Sequence, residues 1–194
     1  MGDRLDISEE IRRKIIHILT SLIPLAYITI IPSKEHIFTI CVIMSIGFLT
    51  VDLLRMYLPA VKKPFLQIFE VLLREGEINN HLTGATYLFI GFSIAVFLFP
   101  REIAVPVMLY LSIADPCAAV IGKLWPVKKL FGKSLGGFTA FFISAAIITG
   151  FFSGYDYESF IIAFCTAAVE MLPLKINDNL TIPVFSGYLF MILK

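Results

Sequence analysis

Carboxylates set inside or at the ends of apolar segments need a chemical reason, because a charge at the centre of a bilayer costs about 2.5–3.5 kcal/mol even on insertion scales. Asp52 ends the second apolar segment of this chain, Asp115 lies within the fourth, and Glu170 closes the sixth. Arg55 follows Asp52 at i,i+3, the spacing of an ordinary helical ion pair. Asp115 is followed by Ala118, Ala119 and Gly122, a small-residue stripe that a backbone or a substrate can approach closely. After Glu170 come Asp178 and Asn179, which can serve a site or cap the next helix.

Basic and hydroxyl groups accompany these acids. Arg13, His17 and Ser21 fall at i, i+4 and i+8, with Lys14 beside them, so a polar stripe climbs from a basic end into the membrane and can hold phosphate or serve as an anchor. Thr83, Thr86 and Tyr87 repeat the pattern behind Glu77, Asn79, Asn80 and His81, though hydroxyls also glue helices together. Gly132-Lys133-Ser134-Leu135-Gly136-Gly137 has the composition of a phosphate loop. It is not a Walker A loop, since Val127 stands where that motif needs its first glycine. Cys41, Cys117 and Cys165 are isolated and are expected to be packing residues. Together the acids from four segments and the bases from three suit a magnesium-bound nucleotide facing a lipid head group.

The elements that position these groups are read from the apolar runs. The chain is 58% hydrophobic and 16% charged, against about 25% charged in soluble domains. In hydrocarbon only helices or closed barrels satisfy the backbone, and runs of this length without alternation mean helices. An all-α polytopic bundle is expected, one domain over 1–194, with about seven transmembrane helices near 11–31, 36–57, 82–99, 103–122, 135–153, 158–172 and 180–193. Residues 1–10 form a cytoplasmic segment and 60–78 an amphipathic cytoplasmic connection. No small-residue cleavage site follows the first apolar run, so that helix is expected to stay. Of the 16 Lys and Arg, only Lys34, Arg101 and Lys194 fall on the outer side, which places the N-terminus and the candidate site in the cytoplasm. A net charge of +1 argues against a nucleic-acid partner, and oligomeric state is not legible.

The residues now assembled resemble, over nearly the whole chain, the CTP-dependent lipid alcohol kinases, the family of dolichol kinase, phytol kinase and CTP-using diacylglycerol kinase. The carriers are Arg12-Arg13-Lys14 with His17, Asp52-Leu-Leu-Arg55, Leu82-Thr-Gly-Ala-Thr86, Ala114-Asp115 with Ala118-Ala119 and Gly122, Lys133-Ser134 with Gly137, and Glu170 with Asp178-Asn179 and Pro183. The chain departs from related sequences at Gly136 and Phe138. The resemblance implies transfer of the CTP γ-phosphate to a polyprenol, dolichol- or phytol-like, or to diacylglycerol, with Mg²⁺, at the cytoplasmic face of the cell membrane. Asp115 would take the hydroxyl proton or hold Mg²⁺, with Asp52 as an alternative base and Glu170 and Asp178 as further metal ligands. Arg13, Lys14, Arg55 and Lys133 would neutralise the triphosphate, and His17, Thr83, Ser134, Gly137 and Asn179 would complete the nucleotide site.

Two rivals remain in view. A phosphatidate cytidylyltransferase also uses CTP in a helical membrane fold, but the dense C-terminal Lys-Asp and Asp-Arg signature associated with it is missing here. A transporter would place its polar residues near the midplane between internal repeats, whereas here they gather at one face and no repeat is visible.

Overall fold

A computed structural model describes residues 2–78 and 81–194, with side chains from residue 10 onward. Asn79, Asn80 and the side chain of Arg4 therefore lie outside the described residues. The described chain is helical apart from one short hairpin. Its helices are α1 (Gly2–Leu19), α2 (Leu22–Thr29), α3 (Lys34–Tyr57), α4 (Pro59–Phe69), α5 (Glu75–Ile78), α6 (Gly84–Leu98), α7 (Arg101–Leu109), α8 (Asp115–Leu124), α9 (Leu135–Ser153), α10 (Tyr157–Met171) and α11 (Asp178–Leu193). The expected all-α class is what is seen. Three helical stretches among the described residues are long and apolar enough to cross a membrane: Lys34–Tyr57, Arg101–Leu124 and Leu135–Ser153. The chain is a membrane protein.

Proline and capping residues explain most boundaries. The expected first helix, 11–31, is instead two. Pro24 has no N–H to offer the Thr20 carbonyl, and the Thr20 hydroxyl turns back to the His17 carbonyl at 2.6 Å, so α1 stops and α2 starts afresh. α7 and α8 form one rod joined by a π-turn, Tyr110–Ala114, in which the Asp115 N–H reaches back to Tyr110. Thr83, Ser134, Asp156 and Asn177 each cap a following helix with a side-chain oxygen. The 60–78 connection is α4, a 3₁₀ turn at Glu70–Leu72, and α5. α4 has no buried residue.

The α7–α8 rod is the centre of the bundle: 72% of its most apolar stretch is buried within the protein, against 17% for α3, whose sides face outward. Tyr110 anchors it, its ring against Phe141 and Phe190 and its hydroxyl bonded to Thr149. α9 lies on α8 and α10, α3 packs on α6, and α11 packs on α6, α7 and α10. In α11, Pro183 cannot donate to the Asn179 carbonyl, and this free oxygen sits where a Cβ on Gly91 would be, 2.1 Å away. Only glycine permits that approach of α6 to α11.

Candidate functional site

The ends of α3, α8 and α10 and the starts of α6, α9 and α11 share one end of the bundle with the polar stripe of α1, and three polar clusters form there. The first lies on α1 and α8. Lys14 Nζ donates to Asp115 Oδ2 at 2.6 Å, both residues being buried, and His17 Nδ1 stands 3.8 Å from the same oxygen. One turn away Glu10 receives Arg13 at 2.9 Å and Lys123 at 3.1 Å, which fixes α1 to the end of α8. Among the described residues Arg13 Nε is buried without a partner.

The second cluster joins α9, α10 and α11. A two-residue hairpin, β1 (Lys129–Leu130) and β2 (Lys133–Ser134), turns at Phe131 and Gly132, both with positive φ (54° and 87°), as a tight hairpin turn of the I′ kind requires. It delivers Lys133 Nζ to Glu170 Oε1 and Asp178 Oδ2, each at 2.8 Å, and to the Glu170 carbonyl. Burial by itself would lower the Lys133 pKa, but the two carboxylates overcome it and hold the ammonium above the usual lysine range, so it stays a cation throughout neutral pH. Ser134 Oγ accepts from the Gly137 N–H at 3.1 Å and donates to the Gly122 carbonyl at 3.1 Å. The glycine-rich segment is therefore a hairpin and a capped helix start.

The third cluster is the most densely hydrogen-bonded. Asp52 accepts Arg55 Nε at 2.7 Å, the Thr83 N–H at 2.7 Å, the Thr83 hydroxyl at 3.0 Å and the Thr86 hydroxyl at 2.5 Å. Arg55 also donates to the Glu77 and His81 carbonyls, both at 2.6 Å. Glu77, passed over as a site residue by sequence reasoning, accepts the N–H groups of Gly84 at 2.6 Å and Arg74 at 2.8 Å. Asn179 donates to the Gly84 carbonyl at 3.0 Å. Through these bonds the cluster ties α3, α6 and α11 together.

The small residues after Asp115 serve packing. A Cβ on Gly137 would lie 2.9 Å from the Ala118 carbonyl, and one on Gly122 would lie 3.3 Å from the Gly137 Cα. Gly136 presses on the Trp125 carbonyl, so the absence of a bulkier residue at 136 has a local cause.

A cavity of about 1420 Å³ opens onto the first two clusters and onto Asp52 and Thr83. Arg74 and Lys175 also line it, basic groups that sequence reasoning counted by side but did not place in a site. Arg55, Ser134, Gly137 and Glu170 do not line it. Among the described residues no three His, Cys, Asp or Glu side chains lie close enough to cage a metal, so Asp115 does not join Glu170 and Asp178 in an all-protein metal cluster. Glu170 and Asp178 do converge on one cationic atom, and Mg²⁺ commonly takes one or two carboxylates with the rest of its shell from phosphate and water. The residues present fit that mode.

Comparison with known proteins gives no matching family model and no matching solved structure. An uncharacterized protein of Rickettsia prowazekii is 32% identical over 190 residues, covering 92% of each chain. One from Methanocaldococcus jannaschii is 31% identical over 93% of this chain and 92% of its own. The CTP-dependent diacylglycerol kinase 1 of Schizosaccharomyces pombe is 30% identical over 79% of this chain and 81% of its own. The chain belongs to the CTP-dependent diacylglycerol kinase family. Its 194 residues hold the three clusters within one helical bundle of this family.

Proposed function

We propose that the protein is a CTP-dependent lipid kinase that moves the γ-phosphate of CTP to the hydroxyl of a membrane lipid, diacylglycerol or a polyprenol, at the cytoplasmic face of the cell membrane. The observation that carries this reading is one cavity lined by two separate cation–carboxylate pairs, Lys14–Asp115 and Lys133–Asp178, the second joined by Glu170 through Lys133, in a member of this family.

The acceptor oxygen attacks the γ-phosphorus, the bond from that phosphorus to the β–γ bridging oxygen breaks, and CDP leaves with the bond's electron pair. The hydroxyl proton passes to the Asp115 carboxylate. Lys14, Lys133 and Arg13 spread the charge of the triphosphate, which is the main task in phosphoryl transfer, where positioning and electrostatics dominate. Glu170 and Asp178 would hold Mg²⁺, which would supply further charge neutralisation to the triphosphate. In this reading Asp52 lines the wall, Arg55 braces it from outside the cavity, and neither takes part in proton transfer.

The test is transfer from γ-labelled CTP, beside ATP, to diacylglycerol and a panel of prenols by purified protein, with and without Mg²⁺. Label in a lipid only with CTP and Mg²⁺ is expected. Pyrophosphate release with phosphatidic acid, leaving a CDP-lipid, would replace the kinase with a cytidylyltransferase, and nucleotide-independent uptake into vesicles would replace it with a transporter.

A further inference from the structure

The helices of the charged end do not close on one another along their length. α1 packs on α8 and α3 on α6, while α2 leans on α7 more than on α3. A wedge is left between α1–α2 and α3, and the cavity that opens on Lys14 and Asp115 continues into it, past Leu22, Ile23, Ile43 and Met44. Leu22 and Ile43 are more than 60% exposed, so the wedge opens sideways toward lipid.

Two details say that the wedge is a seat for a ligand with a polar head and an apolar body. Gly47 lines it, and a Cβ built there meets nothing within 4 Å, whereas Gly91, Gly136 and Gly187 are pressed against backbone or an aromatic ring. No packing explains Gly47; it borders open space. At the polar end of the wedge stands His17. The π-turn carries the Asp115 N–H to Tyr110, and Pro116 has no N–H, so the Leu111 carbonyl beside the wedge lacks both of its helical donors. Among the described residues the His17 Nδ1 is buried without a partner, a polar atom at the head of the wedge left unanswered. A hydroxyl lodged there can turn its hydrogen to Nδ1 or to Asp115 Oδ2, which are 3.8 Å apart.

We propose that the wedge between α1–α2 and α3 is the acceptor site: the lipid alcohol enters sideways from the bilayer, lays its tail along Gly47, Ile43 and Ile23, and docks its hydroxyl on His17. This rests on reading the chain as a kinase of a lipid alcohol. It makes Gly47 the residue that sets tail bulk and His17 the group that positions the hydroxyl.

Two measurements test it. Diazirine-tailed diacylglycerol, prenol and phosphatidylcholine are photo-crosslinked in turn to wild-type protein in nanodiscs, and the adducts are mapped by mass spectrometry. Adducts at 22–23 and 43–47 from one of the two alcohols, absent with phosphatidylcholine and competed by the unlabelled alcohol, are expected, and which alcohol competes names the acceptor. Adducts scattered alike for all three probes would overturn the site. Separately, Gly47→Phe is expected to raise the KM for the long-chain acceptor at least tenfold while the KM for CTP changes less than about twofold; a folded variant with an unchanged acceptor KM would also overturn it. Specific adducts without any CTP-dependent phosphorylation would instead sink the kinase reading and leave the lipid seat standing.

Discussion

At the scale of single residues, the two buried aspartates with basic partners differ in what surrounds them. Asp52 accepts four hydrogen bonds, two of them from Thr83, and its guanidinium partner holds two backbone carbonyls besides. Both border the cavity, but among the described residues Asp115 has one hydrogen bond, a short one to Lys14. Asp52→Ala should therefore act on stability: it leaves Arg55 and three other donors unanswered in a buried place, an effect of about 3–5 kcal/mol for breaking a buried pair. Asp115→Asn keeps the shape and a hydrogen-bond acceptor for Lys14, and should cut kcat by about 10²–10⁴, the span general-base catalysis supplies, with little change in Tm. Thermal unfolding in detergent and the CTP transfer assay, run on both variants, read this out. Loss of activity in a stably folded Asp52→Ala beside an active Asp115→Asn would exchange the two roles.

At the scale of elements, α8 and α9 meet through backbone, and this sets where Lys133 can be. A Cβ on Gly136 would fall 2.3 Å from the Trp125 carbonyl, so the turn before the hairpin has to move if any side chain is added there. Gly136→Ala should cost about 1–3 kcal/mol, as overpacking does, and should weaken CTP more than the lipid acceptor by displacing Lys133 from Glu170 and Asp178. Trp125 is the chain's one tryptophan, so a shift in its emission reports the movement directly. Segment length and the Pro and Gly punctuation made most helices legible in the sequence: 135–153 was expected and Leu135–Ser153 is seen, 158–172 and Tyr157–Met171. The break at Thr20 was not, because it depends on a proline four residues later and on the turn of one hydroxyl. That acids and bases would share one end followed from alternation of helix direction. Which acid meets which base did not, since Lys14–Asp115 and Lys133–Asp178 are set by packing across 101 and 45 residues of chain.

At the scale of the whole molecule, the charged end has to face the compartment that holds CTP. The basic residues lie mostly at that end, and the positive-inside bias leads to the expectation that it faces the cytoplasm. α6 and α11, with 15 and 16 residues, rise only about 22–24 Å at 1.5 Å per residue, short of the roughly 30 Å hydrocarbon core. Both begin at the charged end, so the membrane is expected to thin there and bring lipid head groups down toward the cavity. Orientation is checked in a background lacking Cys41, Cys117 and Cys165, with one new cysteine at a time. Tyr155, 67% exposed just before α10 at the opposite end, should as Tyr155→Cys react with a membrane-impermeant maleimide on intact cells. Lys128→Cys, in the exposed turn before the hairpin, should react only after permeabilisation. The reverse pattern would put Lys14, Lys133 and the open cavity outside, beyond the reach of cytoplasmic CTP, and would be decisive against a CTP-using kinase whatever the chemistry of its carboxylates.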